Sequence, residues 1–275
     1  MPHRRLPVFA PIITAIALAG AGGIVQSVAA QRAAPTARAA IAKAIAAPDR
    51  PAADRARDRY RHPAETLAFF GITPASKVVE FSPGGGWYSM ILARLPAAGG
   101  SYTALVPSSG KAADATRTML ATKKLTGTVA TIDPASGKSD VPANSQDVVL
   151  TFRNVHNLTM AGDQVAARTF AAWFTMLKPG GVLGVDDHRL PESADVAKEK
   201  DSGYLKESTV RRLAEAAGFR LAGSAPINAN AKDTHDHPKG VWTLPPTFAL
   251  KDQDRATYAA IGESDRMTLK FVKPR

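Results

Sequence analysis

Histidine and aspartate side chains follow two strand-like segments of this sequence, and together they could move protons. His156 lies in "RNVHN", directly after the apolar run "DVVLTF", and Asp187 and His188 lie in "DDHR", after "VLGV". Histidine titrates near neutral pH and can act as a general base. If both runs are parallel strands, their carboxyl ends meet at one sheet edge, so His156 and His188 are expected to face one cavity. His156, His188 and Asp187 are therefore candidate catalytic residues; a histidine that only satisfies a loop is the alternative.

A glycine-rich turn is the second feature with chemical potential. The stretch "VVEFSPGGGWYSMIL", 78–92, is a strand pattern, three glycines and a helical pattern. Gly84, Gly85 and Gly86 permit a tight turn and let a ligand approach the backbone, and the following helix offers free N–H groups. Glu80 can accept hydrogen bonds from a hydroxyl or ammonium group. No Gly-Lys-Ser/Thr follows, so a phosphate-cradling loop is disfavoured, and the aromatic pair that follows favours an uncharged or stacked ligand.

Strand-like and helical segments alternate along the rest of the chain. Strands are predicted at 77–81, 101–106, 128–133, 147–152, 182–185, 220–225 and 267–272, and helices at 87–95, 111–124, about 166–177 and 208–217. Such alternation indicates βαβ units and a mostly parallel sheet with helices on both faces.

These motifs resemble a known superfamily. The run Glu80-Phe81-Ser82-Pro83-Gly84-Gly85-Gly86 resembles the acid-x-Gly-x-Gly-x-Gly motif of class I S-adenosylmethionine (SAM)-dependent methyltransferases, with Ser82 in place of the first glycine. "LKPGG", 177–181, resembles the same superfamily. The resemblance implies an α/β, Rossmann-like fold with a mostly parallel seven-stranded sheet and an antiparallel last strand. More narrowly, "RYRHPAETLAFFGI", "PGGGWY", "TFRNVHN" and "DRMTLKFVKP" resemble a family of predicted exported bacterial methyltransferases.

The resemblance also implies a cofactor and the residues that hold it. SAM is the implied cofactor, and the candidate binding residues are Glu80, Ser82, Pro83, Gly84, Gly85, Gly86, Trp87, Tyr88, Asp133 and Asn154. One departure stands out, because the superfamily's ribose-binding acid after the second strand is replaced by Val106, Pro107, Ser108 and Ser109. Asp133 either faces the adenine amino group or only caps a loop.

Candidate substrate contacts come from three places. The candidate substrate-contact residues are Tyr60, His62, Arg153 and Trp242. Tyr60 and His62, with Arg59, belong either to a lid over the site or to a solvated charged segment. Trp242 lies in the polar stretch 227–248, which is too long for a tight hairpin. This stretch either folds over the cavity, with Asn228, Asn230 and Lys232 as further contacts, or only decorates the surface.

The sequence is also compatible with two other functional classes. His62, His156, His188, His235 and His237 could meet with Asp187 around a metal, since imidazole and carboxylate suit zinc or iron, and the protein would then be a metal-dependent hydrolase. Alternatively, the chain is a non-catalytic small-molecule-binding protein on a methyltransferase fold, because the ribose acid is missing.

The N-terminal residues carry a targeting pattern. Residues 1–30 contain two arginines, a long uncharged run and then small residues, which is typical of a signal peptide or, alternatively, of a membrane anchor. An alanine-rich leader is predicted over 31–48 and the methyltransferase-like domain over 49–275. We therefore expect export to the periplasm, with no stable membrane embedding once the signal is removed.

The amino-acid composition restricts the kinds of ligand and partner that the protein is expected to bind. The chain has no cysteine, which excludes disulfides and thiolate zinc sites. The formal net charge is +11, but Lys and Arg are scattered rather than clustered, which favours a small-molecule substrate with some preference for anions over nucleic acid.

Overall fold

The structure is a computed structural model that describes Met1 and residues 36–275. It divides into two units, Met1–Thr36 and Ala37–Arg275, and everything below concerns the second. The predicted signal segment 1–30 lies outside the described residues apart from Met1. Within 36–275, no helix has the length and apolar character needed to cross a bilayer.

The elements follow the predicted alternation of strands and helices. Helical residues at 37–45 form α1, the described part of the alanine-rich leader. The helices that follow are α2 (Ala52–Arg55), α3 (Asp58–Arg61), α4 (Pro63–Phe70), α5 (Ser89–Leu92), α6 (Ala112–Thr122), α7 (Val155–Ala161), α8 (Asp163–Met176), α9 (Glu207–Ala216) and α10 (Arg255–Ile261). The strands are β1 (Lys77–Phe81), β2 (Ser101–Pro107), β3 (Thr128–Ile132), β4 (Gln146–Phe152), β5 (Leu177–Leu190), β6 (Leu205–Lys206), β7 (Arg220–Ala225), β8 (Pro238–Val241) and β9 (Arg266–Val272).

Seven of these strands form the main sheet, in the order β3-β2-β1-β4-β5-β9-β7. The first five are parallel to one another, whereas β9 is antiparallel to both β5 and β7. The short strand β6 pairs with the end of β5. The predicted α/β fold with an antiparallel last strand is therefore confirmed. Strand order reverses between β1 and β4, the position where open parallel sheets bind ligands.

Each face of the sheet packs against its own set of helices. On one face, strand residues such as Val79, Val149 and Val185 pack with α8 residues Phe170 and Trp173. On the other face, strand and helix residues form a second buried cluster that includes Ile41, Leu67, Phe70, Val78, Ile91, Tyr102, Leu120, Val148 and Leu150. A sheet buried on both faces explains why its parallel strands read as nearly continuous apolar runs.

Among the element boundaries that differ from the sequence expectation, two shape the site. The helix predicted from Trp87 begins at Ser89, because Gly84 and Gly86 have φ of +55° and +78° and hold residues 83–88 in a non-helical turn. Strand β5 is longer than the predicted 182–185 and pairs with β9 as far as His188. Since β4 ends at Phe152 opposite Asp186, Asp187 and His188 extend past the end of β4.

Close packing between the sheet and α4 generates a stability prediction. A Cβ on Gly184 of β5 would lie 2.7 Å from Leu150 Cδ2 and 2.8 Å from Phe70 Cδ1. We expect Gly184→Ala to lower the free energy of unfolding by about 1–3 kcal/mol, because overpacking forces neighbouring side chains off their rotamers. Urea unfolding followed by circular dichroism measures this. Gly223→Ala is the matched control, since its Cβ would meet Phe69 only at 3.4 Å. Equal unfolding midpoints for the two variants would contradict the packing argument.

Candidate functional site

A cavity of about 230 Å³ lies at the glycine turn, at the carboxyl ends of β1 and β4. Its lining combines the turn with the residues after β4 and with the segment before α4: Asp54, Arg57, Arg61, Glu80, Ser82, Pro83, Gly84, Gly85, Trp87, Tyr88, Phe152, Arg153 and Asn154. A Cβ added at Gly84 or Gly85 would meet no atom within 4 Å, so the backbone there is open to a ligand. Most of the predicted cofactor residues therefore surround one cavity.

Gly86 and Asn154 shape the turn. A Cβ on Gly86 would lie 2.5 Å from Met119 Sδ of α6, so this glycine permits close packing and does not line the cavity. The Asn154 Nδ2 group donates to the carbonyl oxygens of Phe81 (3.2 Å), Ser82 (3.3 Å) and Phe152 (3.0 Å). Asn154 thus ties the end of β1 to the end of β4 and fixes the floor between them.

Glu80 is a buried carboxyl group on the cavity wall, with only 2% of its surface exposed. Its Oε2 accepts hydrogen bonds from Ser89 Oγ (2.8 Å) and Tyr102 Oη (2.5 Å). Burial raises the pKa of Glu80 to about 7, and the two hydroxyl donors only partly offset this rise. Glu80 therefore exchanges a proton near neutral pH, unlike an exposed glutamate.

Three arginines form the opposite, cationic part of the cavity lining, which we call the arginine wall: Arg57, Arg61 and Arg153. Arg57 Nε and Arg61 Nε donate to the buried Glu263 carboxylate at 2.7 and 2.9 Å. Burial, and next the charge of Arg153, lower the pKa of Arg61 to about 9. Burial alone would raise the pKa of Glu263, but the surrounding arginines, Arg61 foremost, hold it at about 2.

Trp87 anchors the segment that carries Arg57 and Arg61. Its ring lies under two guanidinium groups, with the Arg61 Cζ at 4.7 Å and the Arg50 Cζ at 5.2 Å from the ring centroid. Its Nε1 donates to the Asp54 carbonyl at 2.9 Å. Arg50 in turn makes a bidentate pair with Asp58. These cation–π contacts and hydrogen bonds hold α2 and α3 beside the glycine turn.

The candidate catalytic residues meet at the ends of β4 and β5. His156 Nδ1 lies 2.7 Å from Asp187 Oδ1, and both side chains are buried. Asp187 Oδ2 also accepts from the backbone N–H groups of Val155 at 2.6 Å and His156 at 3.4 Å. Asp187 therefore caps the N-terminus of α7 and orients the imidazole at once. With Nδ1–H donated to the carboxylate, Nε2 of His156 is the atom that can accept a proton.

His188 stands next to this pair in a different state. Its ring centroid is 5.0 Å from that of His156, and its Nδ1 contacts Ser264 Oγ at 2.5 Å. Burial, and next the neighbouring His156, push the pKa of His188 well below its ordinary value. His188 is therefore neutral at physiological pH and adds no charge beside His156.

A metal site at this point has one geometric argument for it and one against it. Ligand atoms of His156, Asp187 and His188 lie within 4.8 Å of one another, the one such group among residues 36–275. However, both Asp187 oxygens already accept hydrogen bonds, including the His188 backbone N–H at 2.8 Å. The other predicted ligands point elsewhere: His62 contacts Asn228, His235 contacts Asp265, and His237 contacts Asp233.

Several other predicted site residues lie away from the cavity. Asp133 is bonded within its own turn, to Ala135 N at 2.9 Å and Ser136 Oγ at 2.6 Å, as a loop-capping aspartate would be. Tyr60 and His62 are absent from the cavity lining. Trp242 lines a separate cleft of about 570 Å³ with His235 and His237, and its ring lies 6.0 Å from that of His156.

The stretch 227–248 differs from expectation in the same way. None of its residues lines the glycine-turn cavity. The Asn228 Nδ2 group is buried and donates to Thr66 Oγ1, Asp186 Oδ2 and Thr268 Oγ1, all within 3.0 Å. Asn230 donates to backbone carbonyls, and Lys232 is exposed. The first part of this stretch is held down by buried hydrogen bonds, so it stabilises the sheet end and leaves the cavity open.

Sequence reasoning missed Arg57, Arg61, Glu263 and Arg266 as site residues. Arg266 at the start of β9 bonds Glu263 and the Tyr60 carbonyl, so the arginine wall is built on a buried ion network. The available signal was the alternation of arginines at 55, 57, 59 and 61, which is unlike an amphipathic helix. Its partner carboxylate lies some 200 residues away, where no local pattern marks it.

Known structures share this fold. A SAM-dependent methyltransferase from Aquifex aeolicus matches with a TM-score of 0.54 and 15% identity, over 83% of this chain and 96% of that one. A putative sarcosine dimethylglycine methyltransferase from Galdieria sulphuraria gives 0.54 and 15%, over 81% and 88%. No protein-family model and no curated protein matches the chain.

A third similar structure has a different reaction in its name. The [4+2]-cyclase SpnF matches with a TM-score of 0.53 and 17% identity, over 81% of each chain. The class I methyltransferase fold is thus shared with proteins of more than one activity, and at these identities the likeness establishes the fold alone. The reaction must be argued from the site.

The buried Glu80 generates a prediction about pH. Its folded-state pKa of about 7 lies above the ordinary 4.5, so the folded protein binds a proton that the unfolded chain releases. Its contribution to stability is complete below about pH 4.5 and is lost as pH rises through 7, by about 3 kcal/mol at most. We expect Glu80→Gln to remove this part of the pH dependence of the unfolding free energy.

Urea unfolding of wild type and variant at several pH values between 5 and 8 measures the effect. The matched control is Glu65→Gln, which changes an exposed carboxylate on α4. If the unfolding free energy of Glu80→Gln varied with pH in the same way as that of wild type, Glu80 would ionise as an ordinary glutamate.

Proposed function

We propose that this protein is an exported SAM-dependent methyltransferase that methylates a small molecule, with SAM in the glycine-turn cavity and His156 as the base. The observation that carries the proposal is the juxtaposition of two features at one sheet edge. A glycine turn follows β1, whose Glu80 is a buried acid, and a histidine oriented by a carboxylate follows β4. The shared fold supports the reaction class. The N-terminal sequence pattern supports export.

The residues present fit the cofactor in part. The open backbone at Gly84 and Gly85 provides the close approach, and Glu80 offers a carboxyl group to an ammonium or hydroxyl. The arginine wall offers partners for a carboxylate. The ribose acid remains missing, since β2 continues to Pro107 and Ser108 N bonds the Ile132 carbonyl. The ribose hydroxyls would therefore be held by fewer charged acceptors than in most of the superfamily.

SAM supplies an electrophilic methyl group on sulfur, and the protein must position and deprotonate the acceptor. His156 Nε2 takes the proton of the acceptor's attacking group. Asp187, bonded to Nδ1, stabilises the imidazolium that forms and keeps the ring in place. His188 stays neutral and therefore does not oppose the charge on His156. The metal alternative lacks an open Asp187 oxygen, and the oriented His156–Asp187 pair favours catalysis over a non-catalytic binding role.

Binding of S-adenosylhomocysteine, the demethylated product, tests the cofactor site directly. We expect the full chain to bind it in calorimetric titration and Gly85→Leu to abolish binding, because the added side chain would fill the cavity. Gly85 lacks a positive φ and has no neighbour within 4 Å, so the variant should fold normally. Gly85→Ala is the graded control and should weaken binding less. If wild type, Gly85→Leu and Gly85→Ala bound S-adenosylhomocysteine with equal affinity, the ligand would not bind at this turn.

Loss of the base should separate chemistry from binding. His156→Asn is expected to lower methyl transfer from radiolabelled SAM to a small-molecule cell extract by roughly 10²–10⁴-fold, as for removal of a general base. S-adenosylhomocysteine affinity should stay within about twofold, because His156 does not line the cavity. Transfer at the wild-type rate would exclude His156 as the base.

A further inference from the structure

The arginines at the glycine-turn cavity are unequally paired. Arg57, Arg61 and Arg266 form ion pairs with two buried carboxylates, Glu263 and Asp186, whereas Arg153 is affected by the charges of both carboxylates without pairing with either. Among the cavity-lining residues the acids are Asp54 and Glu80, and Glu80 is only partly ionised near neutral pH. A guanidinium group without an ion-pair partner in a largely buried site is costly unless a ligand supplies the partner.

Arg57, Arg61 and Arg153 line the cavity, and the hydrogen-bonding capacity of their guanidinium groups is not fully used. The Nη2 atoms of Arg57 and Arg61 are buried and have no hydrogen-bond partner within residues 36–275. The Arg153 guanidinium makes no hydrogen bond or ion pair in the described part of the chain. Its backbone lies in the left-handed region, with φ of +59°, and is held there by the Arg153 N–H bond to the Asp186 carbonyl at 2.7 Å. Such strain is typical of functional positions.

We propose that Arg57, Arg61 and Arg153 form an oxyanion-binding site, and that the methyl acceptor carries a carboxylate or phosphate group bound there. The inference about the acceptor rests on the proposed function; the oxyanion site itself does not. Guanidinium groups present several donors in a planar fork that matches these oxyanions. Arg153 is three residues from His156 along the turn that enters α7, so an acceptor anchored on Arg153 lies at the same sheet edge as the base.

Charge distinguishes the acceptor from the cofactor as the source of the oxyanion. SAM has one carboxylate, but its ammonium and sulfonium groups make it a net cation. Its binding would satisfy one arginine and increase the total positive charge of the cavity. A second, anionic ligand would pair with the arginines that the cofactor leaves unpaired.

The test uses inorganic phosphate and S-adenosylhomocysteine as calorimetric probes of the full chain in chloride buffer at fixed ionic strength. We expect phosphate to bind wild type and Arg153→Gln to weaken it at least about tenfold, since a charge-assisted donor is lost. Arg153→Lys should fall between the two, because it keeps the charge but not the fork. Arg59→Gln is the matched control, since Arg59 is exposed and does not line the cavity. Added phosphate should change the affinity for S-adenosylhomocysteine less than twofold, and Arg153→Gln should not abolish this binding, because Arg57 and Arg61 remain as partners for the cofactor's carboxylate.

Three outcomes would each contradict a different part of the proposal. Absent phosphate binding, or equal weakening by Arg59→Gln, refutes the oxyanion site while leaving the proposed function intact. Competition between the two probes, with both lost in Arg153→Gln, means that the arginines hold the carboxylate of the cofactor and refutes the anionic acceptor. Phosphate binding that depends on Arg153, without any binding of S-adenosylhomocysteine, preserves the oxyanion site but refutes methyl transfer and, with it, the acceptor.

Discussion

The site depends on the hydrogen bonds that the Asp187 carboxylate accepts. This carboxylate extends past the end of β4, where it accepts hydrogen bonds from the backbone at the start of α7 and from the ring of His156. One buried side chain therefore fixes where the helix begins, how the imidazole is turned and which ring nitrogen is free. The turn before that helix contains Arg153 and Asn154, so the position of Asp187 also determines the wall and floor of the cavity.

The sequence was informative where a local pattern has a single physical cause. The alternation of strand-like and helical segments predicted all seven strands of the main sheet, and the nearly all-apolar β4 has the composition that a parallel strand covered on both faces requires. The glycine turn was recognisable because a tight, ligand-accessible bend excludes side chains. His156 and Asp187 were found because parallel strands of one sheet end at one edge. Their 2.7 Å contact follows from the register of β4 and β5, which no local pattern specifies.

The arginine wall was not predictable, because its cause is not local. In the sequence, Arg57 and Arg61 belong to what looks like a solvated charged segment. In the structure, the residues leading into the antiparallel strand β9 place Glu263 against both arginines. Likewise Asn228 read as a polar loop residue, yet it is buried between Asp186, Thr66 and Thr268. Burial of polar groups arises from contacts between distant parts of the chain, so the unusual spacing of the arginines does not identify their buried partner.

The two halves of the cavity have separate origins in the chain. The glycine turn belongs to the sheet, whereas Arg57 and Arg61 lie on a short peripheral segment fastened through Trp87. Within that segment Arg59 is exposed, whereas Arg61 is buried against Glu263, which Arg266 of β9 also contacts. A substitution at position 61 would therefore reach the edge of the sheet, and one at position 59 would not.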